Sequence, residues 1–295
     1  MSSRNMILGL GSYRGKLRFE GIQMEPAATP WTSDPRYPLA ANAGSLPGSR
    51  VARATGNVVQ YATFLDRPRL VQVAAHLWHN WSGAATLRRR FYADTALSTL
   101  LHDTGIAEPE PEIFPLSQVE REDDEWWSGK RSEEDKAGLL RVAPTLLPEP
   151  MMVEAVVTDI DDSSNGEGYV EFGLDELARG WQVSVNPDFG LEIGFDFQTT
   201  TKRAWGGRVI ADHRPKPRIW AGTLDYMPLD EFWAKAWEFM RRYDKHFPFL
   251  VIPDPGDPMN LLRQAGLFYS RPPGSAKWID VDGFQFPFKF EECLD

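Results

Sequence analysis

The residues with the most chemical potential are gathered along 67–94, RPRLVQVAAHLWHNWSGAATLRRRFYAD. The stretch holds His76 and His79, Trp78 and Trp81, and a run of three arginines, Arg88, Arg89 and Arg90. Two imidazoles three residues apart suggest a metal pair. On an extended strand that spacing puts them on opposite faces, so they do not share an ion, and a structural or turn role is favoured. The segment 159–168, DIDDSSNGEG, has the composition of a calcium loop. An EF-hand loop needs glycine at its sixth position, and that position here is Ser164. A hydrated loop between two strands is the better reading, with a calcium site built from the loop left open.

Carboxylates are plentiful at Glu108, Glu110 and Glu112 and at Asp123, Asp124 and Glu125. They lie in charge runs rather than singly among apolar residues, which describes a solvated surface and not a glycosidase acid pair. No Gly-x-Ser-x-Gly, phosphate loop or His-Glu-x-x-His occurs. Cys293, the single cysteine, has no support as a nucleophile. The expectation is a protein that is not an enzyme and uses neither metal nor cofactor.

The elements that must hold these residues read as strands. Val71, Val73, Ala75 and Leu77 alternate with Gln72, Ala74 and His76. Residues 79–83 form a turn, and 86–92 resume a strand, so the stretch reads as a hairpin. Alternation puts Arg89 on the same face as Leu87 and Phe91. It must therefore snorkel, pair with a carboxylate or lie at an interface. Further strands are expected at 57–66, at 98–105, and at 151–161 with 168–172 as its partner. Many short antiparallel strands joined by long loops describe a mainly β chain, a β-sandwich or jelly roll.

Beyond 180 the expected strands are 181–185, 191–199, 218–226, 249–252, 265–270, 278–281 and 283–292. In the last, Phe284, Phe286, Phe288 and Phe290 alternate, and Pro287 points outward, as on an edge strand. One helix is expected at 228–247. Leu229, Phe232, Trp233, Ala236, Trp237, Met240 and Tyr243 recur at three- and four-residue spacing there. The division expected is an extended arm at 1–50, a sandwich or jelly-roll domain at 51–180, and a β-rich assembly domain at 181–295. Trp31 and Tyr37 in the proline-rich arm are the anchors expected to bury against a neighbouring subunit. Trp126 and Trp127, inside the acidic insert 117–136, are expected to fold onto the domain's own body.

The net charge is −10, from 32 basic and 42 acidic residues, which disfavours nucleic acid and anionic membranes as partners. No run approaches the ~18 apolar residues of a spanning helix, and no signal segment is evident, so synthesis in a cytoplasm is expected.

The segment HNWSGAATLRRRFYAD resembles the His-Asn turn and arginine-rich strand of galactose-binding-like jelly rolls in tail proteins of tailed bacteriophages. Similar segments follow in order: GYVEFG at 168–173, WGGRVIADHRP at 205–215, VIPDPGD at 251–257 leading into Asn260, and the closing strand ending at Glu292. The likeness covers roughly residues 55–295. Arg89 departs from it, standing where an apolar residue is expected, and the arm matches nothing in it. The resemblance implies a virion structural protein at the tail tip or baseplate. Its partners would be copies of itself in a ring and neighbouring tail proteins. The alternative is a lectin-like module for host surface glycans, for which Trp78, His79 and Trp81 with Asp161 and Asn165 are the candidate residues.

Overall fold

The alternation in the sequence is realised as antiparallel strands throughout. A computed structural model describes residues 5–24, 29–44, 46, 50–109, 141–187, 191–203, 208–212, 214, 216–257, 261–271, 275–280 and 283–294. The acidic insert with Trp126 and Trp127 lies outside the described residues, as do Glu110, Glu112, Asp123, Asp124, Glu125, Trp205 and Asn260. The chain divides into two compact units. One, the sheet unit, comprises 1–8, 181–253 and 266–294; the other, the sandwich unit, comprises 9–180 and 254–265. No described helix is long and apolar enough to cross a membrane.

Strand β1 (Ile7–Gly9) belongs to the larger sheet of the sheet unit. The sandwich unit follows with β2 (Leu17–Gly21), the single helical turn α1 (Leu39–Asn42), β3 (Ala52–Arg53) and β4 (Val58–Leu77). Next come β5 (Thr86–Tyr92), β6 (Leu100–Asp103), β7 (Val142–Asp161), β8 (Glu171–Phe172) and β9 (Leu174–Ala178). Its main sheet runs β2-β4-β7-β5-β6, and β9 also pairs with β4.

This order corrects two expectations. β4 and β5 are not a hairpin, because β7 lies between them and pairs with both. Nor is 168–172 the partner of β7; β8 pairs instead with β3. Side-chain alternation is a local property, whereas strand pairing depends on segments far away in the chain.

The 20-residue strands β4 and β7 form one long ribbon with register shifts between Phe64 and Arg69 and between Val71 and Val73. Tyr61 and His76 both lie on β4, fifteen residues apart, and a straight strand would separate them by about 50 Å. Their side chains touch at 2.5 Å. The ribbon therefore folds back on itself at the irregular positions, as strands do when they pass from one sheet layer to the other. One layer holds β2, the first part of β4, the last part of β7, β5 and β6. The other holds the remainder of β4 and β7 with β9. Between them pack Phe91 and Val156 from the first layer against Val71, Ala74, Leu147 and Leu177 from the second. The sandwich is thus made by bending a ribbon.

The first fifty residues are not a separate arm. β2 pairs with β4, and Trp31 donates its backbone N–H to Gln60 at 2.8 Å. Trp31 is buried, with ring centroids 5.5 Å from Tyr61 and 5.4 Å from Phe172. Tyr37 is half-buried under the Arg53 guanidinium at 4.4 Å. Both aromatics expected to anchor on a neighbouring subunit find partners in their own chain. A large ring needs only some apolar surface, and β4 with β8 supplies it. The close pass is possible because residue 21 is glycine: a Cβ there would lie 2.2 Å from the Trp31 carbonyl oxygen.

The sheet unit continues with β10 (Trp181–Gln182), β11 (Glu192–Phe195), β12 (Thr200–Arg203), β13 (Val209–Asp212) and β14 (Arg218–Pro228). Helix α2 covers 229–242, as Leu229–Glu231, a wider π turn over Phe232–Ala236, and Trp237–Arg242. Strands β15 (Phe249–Ile252), β16 (Gly266–Ser270), β17 (Lys277–Asp280) and β18 (Gly283–Glu292) complete the unit. The sheet order is β10-β1-β15-β16-β18-β14-β11, with β17 also on β18.

The four alternating phenylalanines of β18 are buried, and α2 lies on them. Phe232 stacks on Phe284 at 3.8 Å, and Phe239 meets Phe249 at 4.9 Å and Phe286 at 6.0 Å. The helix differs from its sequence reading in two ways. It stops at Arg242, and it buries Phe232, Ala236 and Phe239 while leaving Trp233 and Trp237 outside. Phe232, Ala236 and Phe239 stand at i, i+4 and i+7, one narrow face of a helix, and Trp233 and Trp237 fall to its side. Pro287 is also not on an edge strand, since β18 has neighbours on both sides. β17 pairs as far as Gln285 and β16 begins at Phe290, so the proline, lacking an N–H, sits in the gap between them.

Candidate functional site

Arg89 is fully buried on the inward face of β5, beside Leu87 and Phe91, as alternation requires. Its flanking arginines point the other way, Arg88 to Asp103 at 2.6 Å and Arg90 to Asp159 at 2.8 Å. The carboxylate that covers Arg89 is Asp175, on β9 in the opposite layer, at 3.1 Å. Nη2 of Arg89 also lies 2.5 Å from Nδ1 of His76. Tyr61 Oη is 2.5 Å from His76 Nε2 and 3.1 Å from Asp175 Oδ2, and Thr63 donates to the same oxygen at 3.1 Å.

One set of proton positions satisfies this ring. Arg89 donates to Nδ1, so neutral His76 carries its proton on Nε2 and donates to Tyr61 Oη. The tyrosine hydrogen then goes to Asp175. Burial, then the adjacent Arg89 charge, then His79 hold His76 well below its ordinary pKa, which keeps it neutral. Burial and the Asp175 charge push the Tyr61 phenol up, so it stays protonated. Nε and Nη1 of Arg89 have no hydrogen-bond partner among the described residues, so His76 and Asp175 supply its coordination.

Tyr61, Thr63, His76 and Arg89 are completely buried and Asp175 nearly so. No substrate reaches a sealed set of groups. Its chemistry is structural: an ion pair and a chain of hydrogen bonds tie the two sandwich layers in one relative register. Three of its members escaped sequence reasoning. Asp175 carried only a weak signal, since the five-residue strand Leu174–Ala178 holds two adjacent acids, Asp175 and Glu176, and its sequence does not say which one is committed. Tyr61 and Thr63 carried none, because both suit a strand with no further role.

The histidine pair is also rearranged. The chain leaves β4 at Trp78, whose φ of 56° ends the alternation on which the opposite-face expectation rested. Both rings consequently flank Trp81, His79 stacked at 4.4 Å and His76 edge-on at 4.9 Å. No group of three or more metal-ligating side chains occurs among the described residues.

The residues expected to hold a sugar divide between the core and the surface. Trp81 is buried between the two histidines and offers no open face to a pyranose. His79 and Asn165 are buried as well, whereas Trp78 is half-buried and Asp161 exposed. The acidic loop is a hydrogen-bonded knot. Asp162 accepts from the Ser82 N–H at 2.9 Å, from the Ser82 hydroxyl and from Asn165 Nδ2 at 3.1 Å. Asn57 and Asn80 fasten the loop through the Asn165 and Tyr169 carbonyls, both at 3.1 Å. The Asp162 carboxylate is thus committed to hydrogen bonds within the fold.

The outside of the sheet unit is different. Tyr226 is 71% exposed, Trp278 63%, Trp233 51% and Trp237 48%. Trp233 lies 5.6 Å from Trp237 and 5.8 Å from Phe284, which lies 5.1 Å from Trp278. The bulge between Leu224 and Met227 turns Tyr226 outward with a φ of 56°. Trp233, Trp237 and Trp278 are thus linked directly or through the buried Phe284, and with Tyr226 they are the exposed large aromatics of these elements.

No protein-family model matches the chain, and no curated protein matches it. Among solved structures, the chain is similar to the family 32 carbohydrate-binding module of C. perfringens NanJ, solved with galactose. The TM-score is 0.36 at 8% identity, over 58% of this chain and 98% of that one. A second such module, from a family 31 glycoside hydrolase of Clostridium perfringens, gives a TM-score of 0.35 at 13% identity, over 56% and 92%. Scores of this size fix neither ligand nor role. The mainly β, antiparallel sandwich stands on the strand pairing described above.

Proposed function

We propose that this chain is a virion structural protein of a phage tail tip or baseplate, working through contacts with copies of itself and with neighbouring tail proteins. The observation that carries the reading is the aromatic surface of the sheet unit. Several large exposed rings on one unit support a surface that another macromolecule covers, since large aromatics give much contact area for little ordering cost. The buried polar groups of the sandwich unit are committed to the fold and give no competing catalytic reading. The tail location itself rests on the sequence resemblance.

Binding of host glycans ranks second. Its intended stacking ring, Trp81, is buried, stacked on His79 and edge-on to His76, which leaves Trp78 and Asp161 as the residues of that reading at the surface.

Antibodies against the purified chain, applied to intact particles of the phage that encodes it, test the location. Labelling at the distal end of the tail is expected. Labelling at the capsid or neck overturns the assignment.

A further inference from the structure

Strand β11 ends its sheet. It pairs with β14 on one side, and no described strand lies on the other. Asp196 sends its N–H inward to the Pro217 carbonyl at 2.9 Å. The alternation of an antiparallel strand therefore turns the N–H and C=O groups of Ile193 and Phe195 outward. The side chains of Ile193, Phe195 and Phe197 form an exposed row along the same stretch. Edges are usually guarded by lysine, proline or a bulge, and 192–197, EIGFDF, contains neither lysine nor proline and pairs without a register shift.

Just beyond it, β12 and β13 form a two-stranded ribbon, Thr200 opposite Asp212 through to Arg203 opposite Val209. All four residues of β12 are exposed, and no third described strand joins the ribbon. Two strands alone are marginal in water, and a third strand with an apolar face supplies what they lack. The charges of edge and ribbon are opposite. Glu192 and Asp196, the latter 3.8 Å from Arg271, belong to the edge; in the ribbon Lys202 and Arg203 outnumber Asp212, and Arg208 directly precedes β13.

We propose that the β12–β13 ribbon of one copy adds to the β11 edge of a second copy. Main-chain hydrogen bonds to Ile193 and Phe195 give the affinity. Lys202 and Arg203, set against Glu192 and Asp196, select the partner. The contact is heterologous, so each copy retains one open edge and one open ribbon, and the pairing repeats head to tail into a ring or filament. The proposal rests on the assembly reading and names the surface that performs it.

The full-length chain is examined by sedimentation velocity across the micromolar range, with circular dichroism to confirm folding. Glu192→Lys with Asp196→Lys makes the edge basic; Lys202→Glu with Arg203→Glu makes the ribbon acidic. Each double variant is expected to weaken self-association by about tenfold or more, and an equimolar mixture of the two to restore it. Association undiminished in both folded variants overturns the edge pairing and leaves assembly through another surface standing. A wild-type chain that stays monomeric throughout overturns both edge pairing and self-assembly.

Discussion

The two units dispose of polar and aromatic groups in opposite ways. The sandwich unit encloses Arg89, Asp175, His76 and Tyr61 between its layers and leaves none of them to solvent. The sheet unit buries the four phenylalanines of β18 but leaves Trp233, Trp237, Trp278 and Tyr226 outside. A buried ion pair gains little net stability over an apolar core of the same shape, yet breaking it is costly. An exposed aromatic adds little to folding and much to binding when something covers it. The contrast teaches that the groups resembling an active site hold the fold, while the groups that look idle are the ones available for function.

The largest effect is expected from Asp175→Ala. It strands the buried Arg89 charge, and the full-length chain should lose about 3–5 kcal/mol in urea unfolding. A loss no greater than that of a surface alanine substitution would mean that the network does not lock the layers. Gly21→Ala comes next. Its Cβ would meet the Trp31 carbonyl oxygen at 2.2 Å, so either β2 or the 29–33 segment must move, at about 1–3 kcal/mol. Thermal unfolding reads this, and an unchanged midpoint would show that the arm is not clamped to β4.

His76 supplies a pH test. Its folded pKa is depressed below the ordinary imidazole value of about 6.5 by burial first and Arg89 second. The unfolded chain therefore binds the proton more readily. Stability is full above that value and falls as pH drops beneath it, by about 1.4 kcal/mol per pH unit from this group. Comparing wild type with His76→Gln isolates the contribution from the carboxylates that also titrate, and the variant should show the shallower decline between pH 6.5 and 5. Equal slopes would place the imidazole in contact with water. The smallest effect on folding is expected at Phe197→Ser, where stability should stay within about 0.5 kcal/mol because the ring is exposed. Association should weaken nonetheless, and a variant that unfolds readily instead would blur the contrast between the units.

Much of this was legible in the sequence, and the illegible parts share a cause. Alternation placed Phe284, Phe286, Phe288 and Phe290 on one buried face and put Arg89 inward, with its need for a carboxylate. These are properties of a few consecutive residues. The identity of that carboxylate was not legible, since Asp175 is 86 residues away and reaches Arg89 only because the β4–β7 ribbon bends. The same bend brings Tyr61 against His76, and the insertion of β7 between β4 and β5 undid the hairpin reading. On α2, helical spacing found the helix but drew its buried stripe too wide: the face that packs is Phe232, Ala236 and Phe239, with Trp233 and Trp237 to its side. Burial of the candidate sugar residues was illegible for a related reason: Trp81 has the right chemistry, but its ring lies in the core against His76 and His79.

The central claim is that the sheet unit, and not the sandwich unit, makes the intermolecular contacts. Amide hydrogen exchange on the full-length chain, compared between dilute and concentrated solution, tests it directly. The account predicts protection that grows with concentration at Ile193, Phe195 and Thr200–Arg203 and is unchanged along β4, β5 and β9. Concentration-dependent protection confined to the sandwich unit would contradict it.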